Sequence, residues 1–525
     1  MLSFWNNAEF VRHRRAELRP SRMVTVLVVA VLVCLLTGLA CWSAYQEKVA
    51  TYDRVVRMDH PDAEWLARLE SERAAQEFWR VYCVSLVMMQ LALLTFWSLL
   101  AGAQGISGER ERKTWDFQRT TRLTSWELTL GKLLGGPVLA YFIVLICMPT
   151  TLLAGLKGGL GLWSMVSIYL VLLSSGLFIG LCGLWISSLL ESRGRGVGVV
   201  GAVGIYGLMS MFMGMRDSFL PGLSAFNPLT ALTPLLRIND LREYRSPVVF
   251  GHPVSWLAMT LLLYTTFGAW LVLMLVRNMK RDLDQVRPLS RWQAVGCAAF
   301  LNFVVYALFD PHASDAFTNP HEFIAMMVGV NTFVLFAVGL ATLTPHERLK
   351  IWWRQRQTKQ ASLFAEDGLP WPWMALSAVV AFALLLWGTY AWGNAFPFDR
   401  KMLGAGAVQL LCLLIFITRD ILFLQWCRLT RLRSPLMKGV LFLILYYASG
   451  GVIYAVLRLP SASLSDGVAN LLTPVGAFDI EATGFQFARS VFLGLGLQLM
   501  VIGLLLSAIA RRLRRPALVL AMAGD

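Results

Sequence analysis

GERERKTWDFQRTTRLTSWELTLGK, from Gly108 to Lys132, is a run of mixed charge between two apolar segments, residues 81–102 and 134–156, neither of which holds an Asp, Glu, Lys or Arg. A helix needs roughly 20 apolar residues to cross the hydrocarbon of a bilayer, and both flanks are long enough. The stretch is therefore a polar loop between two crossings. Its density of charge, with Trp115 and Phe117 interleaved, exceeds what solvating a short loop requires. It reads as a docking element for a soluble partner, the aromatic residues serving as apolar anchors.

The rest of the chain repeats the apolar theme. Of its 525 residues 57% are hydrophobic and 15% charged, with mean hydropathy +0.59, a balance foreign to soluble proteins of this length. Apolar segments at 23–45, 81–102, 134–156, 163–190, 197–215, 254–276, 292–309, 322–343, 372–393, 403–426, 436–457 and 488–510 predict about twelve transmembrane helices. The fold class is an all-α polytopic membrane protein, since only helices or closed barrels satisfy their backbone in lipid. The net charge of +15 would suit a nucleic-acid partner, but its placement argues against one. With the N-terminus inside, Lys and Arg concentrate on the cytoplasmic segments and Asp and Glu on the outer ones, the asymmetry that orients membrane proteins. The basic balance thus reports orientation, with both termini cytoplasmic, and contact with anionic membrane lipid. The first apolar run is longer than a signal-peptide core, and no small-residue cleavage site follows it in Trp42–Lys48. All eight cysteines lie in or beside spans and no CxxC occurs, so neither a disulfide framework nor a redox motif is indicated.

Residues 1–22 mix Phe10, Val11 and Leu18 with Arg12, Arg14, Arg15 and Arg19; they suit an interfacial N-terminal helix on the inner leaflet, or a basic flank that orients the first span. Internal spacing points to duplication. Glu109-Arg110 precedes Trp115 as Glu347-Arg348 precedes Trp353, an offset of 238; Trp185 and Gly198 recur as Trp426 and Gly439, an offset of 241. With the span count, this predicts two parallel six-helix repeats. The first unit is 23–276 with its inner loop 103–133, followed by a cytoplasmic connector at 277–291. The second unit is 292–510 with its loop 344–371, followed by a cytoplasmic tail at 511–525. The largest outer loops are 46–80, which is acidic and compatible with helix, and 216–253.

No G-x-x-x-x-G-K-[ST] occurs, and Gly131-Lys132 lacks the rest of that pattern, so the chain has no phosphate-cradling loop of its own. The residues Glu109-Arg110-Glu111, Thr114, Asp116, Thr121-Arg122-Leu123-Thr124, Glu127-Leu128 and Gly131-Lys132 resemble an inner loop of ABC type-2 permeases. That loop joins the second and third helices and reads E-R-E-x-G-T, an acidic position, T-P-L-S, then E-I and G-K. This sequence departs at Lys113, where glycine is usual, and at Arg122, where proline is usual. Phe226-Asn227-Pro228-Leu229, after the fifth span, extends the likeness more loosely.

The resemblance implies a permease subunit that exports a hydrophobic or amphipathic substrate using ATP hydrolysed by a separate ATPase subunit, present in two copies. ATP and magnesium would be bound on that partner and no cofactor by this chain, in a bacterial cytoplasmic (inner) membrane. It further implies that Gly108–Arg119 forms a coupling helix seated in the ATPase. Glu109, Arg110, Thr114, Trp115, Glu127 and Lys132 would carry the coupling, with Glu347 and Arg348 in the second half. There the segment His346–Trp373 lacks the T-P-L-S and G-K endings, so it is either a degenerate second coupling site or a basic membrane-surface helix.

Within the spans, Gly198, Gly201, Gly204 and Gly207 let helices approach closely, as plain packing or as a sliding interface along the cargo path that the resemblance assigns to the second and fifth helices. Arg419-Asp420 is the ionisable pair well inside a span, where charge is costly and is either functional or held by neighbouring helices. As sequence neighbours the two should point to different sides of the helix and pair poorly with each other. His312, Asp315, His321 and Glu322 share an outer loop without zinc spacing, and no metal site is expected. No catalytic residues stand out. Two other classes stay open: an ion-driven secondary transporter, which would need coupling carboxylates or histidines near the midplane, and a polytopic membrane enzyme acting on lipid or glycan.

Overall fold

A computed structural model describes residues 7–59, 64–189, 207, 210–211, 220–236, 246–281, 289–310, 320–391, 400–430, 435–458 and 485–514. The chain divides into two compact units, residues 1–286 with 308–313, and residues 287–307 with 314–525. In the first, α1 (Ala8–Glu17) leads into α2 (Pro20–Asp59) and α3 (Glu64–Gln104). The charged loop carries α4 (Ser107–Glu111) and α5 (Trp115–Thr120), followed by α6 (Ser125–Gly135), α7 (Val138–Lys157) and α8 (Leu162–Leu189). A 3₁₀ turn (Pro221–Phe226), α9 (Pro228–Leu235), a short hairpin of β1 (Val248–Val249) and β2 (His252–Pro253), and α10 (Trp256–Asn278) complete it. The second unit holds α11 (Arg291–Leu308), α12 (Pro320–Ala341), α13 (His346–Gln357), α14 (Trp371–Ala391), α15 (Arg400–Arg428), α16 (Pro435–Arg458) and α17 (Phe485–Arg514).

Eight helices among the described residues are long and apolar enough to cross a membrane: α2, α3, α7, α8, α10, α14, α15 and α17. The pair α12 and α13, bent by 86° at its break, makes a ninth if it is one broken span. Predicted spans 292–309 and 436–457 coincide with α11 and α16, which are not among the eight. The predicted fifth span, 197–215, lies outside the described residues except at positions 207, 210 and 211, and with it Gly198, Gly201 and Gly204. Gly207 is helical and exposed, and a Cβ there would meet no described atom.

Among the described residues of the first unit, a close helix approach joins α3 and α8. A Cβ on Gly102 would sit 2.5 Å from the Gly180 carbonyl oxygen, and one on Gly183 2.6 Å from that of Leu99. Only glycine lets two helix backbones meet so closely. Cys83, Leu86, Leu94, Met165 and Leu172 are fully buried along the same contact.

The described residues 220–236, after the predicted fifth span, pack into the unit. Asn227 caps α9 by accepting from the Leu229 amide at 3.0 Å, and Pro228 occupies the first turn, where its missing N–H is harmless. Ala231, Leu232 and Leu236 are then buried in the core shared with α3 and α8. Phe226 meets Phe178 and Phe267 at centroid distances of 6.0 and 4.8 Å, and its carbonyl accepts from the Tyr264 hydroxyl at 2.9 Å.

In the second unit α15 packs against α12, α14, α16 and α17. The amphipathic α13 buries Leu349 and Trp352 among Leu422, Leu429, Ile509 and Leu513. Its approach is fixed by Arg291, whose guanidinium donates to the carbonyls of Glu366, Leu369 and Gly368 at 3.0, 3.3 and 2.6 Å and to Thr344 Oγ1 at 2.7 Å. Gln425 then brackets Thr344, accepting from its amide and donating to its carbonyl, each at 2.9 Å.

Candidate coupling site

The loop expected to be one coupling helix is two short ones. α4 ends at Glu111, and the chain turns through Lys113 at φ 57 before α5 starts at Trp115. A left-handed residue breaks the helical path, and glycine adopts that conformation without strain. The position where the family's loop carries glycine is thus the one that needs it. Lys113→Gly is expected to raise thermal stability by about 0.5–1 kcal/mol, measured by a melting curve in detergent; a loss of stability would contradict the strained turn.

Five of the six residues singled out in this loop come together. Lys132, with 2% of its side chain exposed, donates from Nζ to Glu109 Oε2 at 2.5 Å and to Glu9 Oε1 at 3.0 Å. Arg12 bridges the same two carboxylates at 2.5 and 2.7 Å, so two acids and two bases share one cluster. Gln118 Nε2 adds a bond to Glu109 Oε1 at 2.8 Å, and Thr114 closes the turn with its amide on the Glu109 carbonyl at 3.0 Å. Trp115 lies beneath two cations, its ring centroid 5.4 Å from Lys132 Nζ and 5.8 Å from the Arg110 guanidinium. Arg110 reaches the Ser188 carbonyl at 3.2 Å, while Ser187 Oγ accepts from the Ile106 and Ser107 amides at 3.0 and 2.9 Å, pinning α4 to the end of α8. Glu127 stands apart from the cluster; it forms a capping box with Thr124 at the start of α6.

Trp115 therefore differs from expectation. It is 5% exposed and packs with Ile106, Leu128, Leu184 and Leu275, so it anchors the loop to its own unit and offers no surface to a partner. Phe117, 76% exposed, points outward beside the exposed Glu111, Arg112, Lys113 and Asp116.

The sequence reading missed the role of α1. Asn7 caps that helix, its Oδ1 accepting from the Glu9 amide at 3.0 Å, and donates from Nδ2 to the Glu127 carbonyl at 2.7 Å. Glu9 and Arg12 enter the charge cluster from the same helix. Gly131 and Gly135 make room for it: a Cβ at either would lie 2.7 Å from Glu9 Cβ and 2.8 Å from His13 Cβ, respectively. The G-K step into α6 is thereby explained, glycine admitting α1 and lysine pairing with its carboxylate.

Burial works against ionisation of Glu9, but the adjacent His13 ring, the Lys132 ammonium and Arg12 outweigh it and hold the carboxyl at about 2, below its ordinary 4.5. A carboxylate depressed in the folded state stabilises fully above its unfolded pKa and loses that contribution as pH falls through the folded one. The contact between α1 and α6 should therefore weaken as pH drops from about 4.5 toward about 2, with hydrogen exchange of the α1 amides as the readout. Glu9→Gln should remove that pH dependence.

In the second half Glu347 is exposed in the first turn of α13, and Arg348 lies 3.6 Å from Asp367. Neither joins a cluster like that of the first loop. Arg419 and Asp420 correct the expectation that they pair poorly: Arg419 Nε and Nη2 both reach Asp420 Oδ1, at 2.8 and 2.6 Å. The long arginine side chain curls back along α15, because in a low-dielectric span no weaker partner could hold either charge. His312 and Asp315 lie outside the described residues, as do the side chains of His321 and Glu322. Among the described residues no group of His, Cys, Asp and Glu could hold a metal ion.

The charged loop is thus wired into its own multi-span helical unit. The model of the family described as ABC-2 family transporter protein matches residues 70–270, from α3 through the loop to α10. That stretch is similar to the ABC-2 transporter family, and the chain is a multi-pass membrane protein carrying this ABC-2 transporter region. Permeases of this kind work with an ABC ATPase subunit. No curated protein and no solved structure matches the chain.

Proposed function

We propose that the chain is the membrane subunit of an ABC exporter in a bacterial cytoplasmic membrane, moving a hydrophobic or amphipathic substrate outward. Two copies of a separate ATPase subunit would bind ATP and magnesium, and both termini of this chain would face them. The two units would be fused repeats of six helices. The observation that carries this reading is the loop 103–133. Its outer surface presents Phe117 and Asp116, while its inner surface is tied to α1, α6 and α8 through Glu109, Lys132, Arg12 and Ser187. A push on the exposed side reaches α1 and α6 through paired charges, and the span α8 through the Ser187 hydroxyl, rather than through a slack linker.

Purification in mild detergent from the native host should recover a P-loop ATPase with the chain. In proteoliposomes holding both subunits, Phe117→Asp should lower permease-stimulated ATP hydrolysis and transport about tenfold or more, a hot-spot effect, with the melting temperature unchanged. Undiminished coupling in that variant would rule out this loop surface as the docking face. Recovery of the chain alone, with transport driven by an ion gradient, would favour a secondary transporter instead.

A further inference from the structure

A cavity of ≈ 360 Å³ opens among α15, α16 and α17, away from the coupling loop in sequence and entirely within the second unit. Its walls include Phe423, Phe442, Leu497 and Val501, and its polar end carries Arg419, Asp420, Tyr446 and Gln498. Such a volume falls in the range of roughly 300–1,000 Å³ typical of small-molecule sites, which are mostly apolar with a few convergent polar groups. α15 and α17 are long and apolar enough to cross a membrane, α16 carries a shorter apolar stretch at Lys438–Ile453, and Phe442 and Leu497 are exposed, so the cavity opens toward the lipid phase.

The polar end selects the chemistry of an occupant. Arg419 directs one N–H from Nε and one from Nη2 to Asp420, the other from Nη2 to Tyr447, and the pair on Nη1 to Tyr446 and Gln498. Tyr447 in turn donates to Asp420 Oδ2 at 2.5 Å. The cluster is neutral in sum, with each guanidinium N–H engaged. An entering anion would have to displace Asp420 from Arg419, and an entering cation would have to displace Arg419 from Asp420, in surroundings where an uncompensated charge is expensive. A hydroxyl, amide or ester head needs only hydrogen bonds and leaves the ion pair intact.

We propose that this cavity binds a single-chain amphiphile with an uncharged, hydrogen-bonding head, taken from the lipid phase. The chain lies along the wall of Phe442, Leu497 and Val501 with its head toward Tyr446 and Gln498. The test uses the full-length protein in phosphatidylcholine nanodiscs and a monoacylglycerol carrying a photoreactive diazirine in its acyl chain. Labelling should be saturable, should map to α16 and α17 around the cavity, and should be competed by unlabelled monoacylglycerol. A fatty-acid anion or an alkyltrimethylammonium of equal chain length should compete about tenfold less well. Val501→Trp, which fills the cavity, should cut labelling about tenfold, whereas Val408→Trp on the exposed face of α15, outside the cavity lining, should not. Leu505→Phe, a milder filling change, replaces Val501→Trp if that variant does not fold. Labelling without saturation, equal competition by the charged amphiphiles, or full labelling in a folded cavity-filling variant would each overturn the proposal.

Discussion

Lys132→Met should destabilise the first unit by about 3–5 kcal/mol, the usual consequence of removing one partner from a buried charge cluster. Glu9 and Glu109 would be left facing each other with Arg12 as their shared cation and the His13 ring beside Glu9, and Arg12 is half exposed. The measurement is a thermal or denaturant melt in detergent, with transport assayed in parallel. Because the loss arises from uncompensated charge, adding Glu9→Gln and Glu109→Gln to Lys132→Met should restore about half of the stability or more. Coupling should stay lost in the triple variant, since the loop would no longer be tied electrostatically to α1. A triple variant as unstable as the single one would mean that Lys132 acts through packing rather than charge.

Arg291→Ala has the second largest expected effect, about 3–5 kcal/mol, because it strands buried acceptors on Gly368, Leu369 and Thr344 together and frees the more exposed carbonyl of Glu366. Arg291→Lys keeps the charge but cannot form the planar fork, and should recover less than half of the loss. Limited proteolysis should show the reason, with new cleavage within 344–371 before the spans themselves unfold. Intact protection of that segment in Arg291→Ala would show that Thr344 and Gln425 hold the bend without it.

The membrane class, the helical fold and the position of the charged loop between two spans were legible because each rests on local pattern: apolar length for the spans, and E-R-E with G-K for the loop. The break at Lys113 was half visible, since a non-glycine residue stood where the family's loop carries glycine. Thr124-x-x-Glu127 was a readable capping signature that went unread. What could not be read were partnerships across long separations. Nothing local to Asn7, Glu9 or Arg12 announces a partner at Glu109, Glu127 or Lys132, and nothing local to Arg291 announces the carbonyls of 366–369. A second set of glycines escaped notice for the same reason: the tight α3–α8 contact depends on Gly102, Gly180 and Gly183 from two distant segments. The inward packing of Trp115 follows from that long-range assembly too, because its neighbours come from α6, α8 and α10.

The seating of α1 on α6 also constrains how the chain can be made. Its hydrogen bonds join residues 120 and 123 positions apart, so the first helix emerges from the ribosome long before the groove that receives it. At an elongation rate of roughly 5–20 residues per second, that interval lasts several seconds or more. During it Glu9 has only Arg12 and His13 of its own helix. The helix must wait until Gly131, Lys132 and Gly135 have been synthesised, so closing this contact marks the point at which the first loop becomes a mechanically finished part.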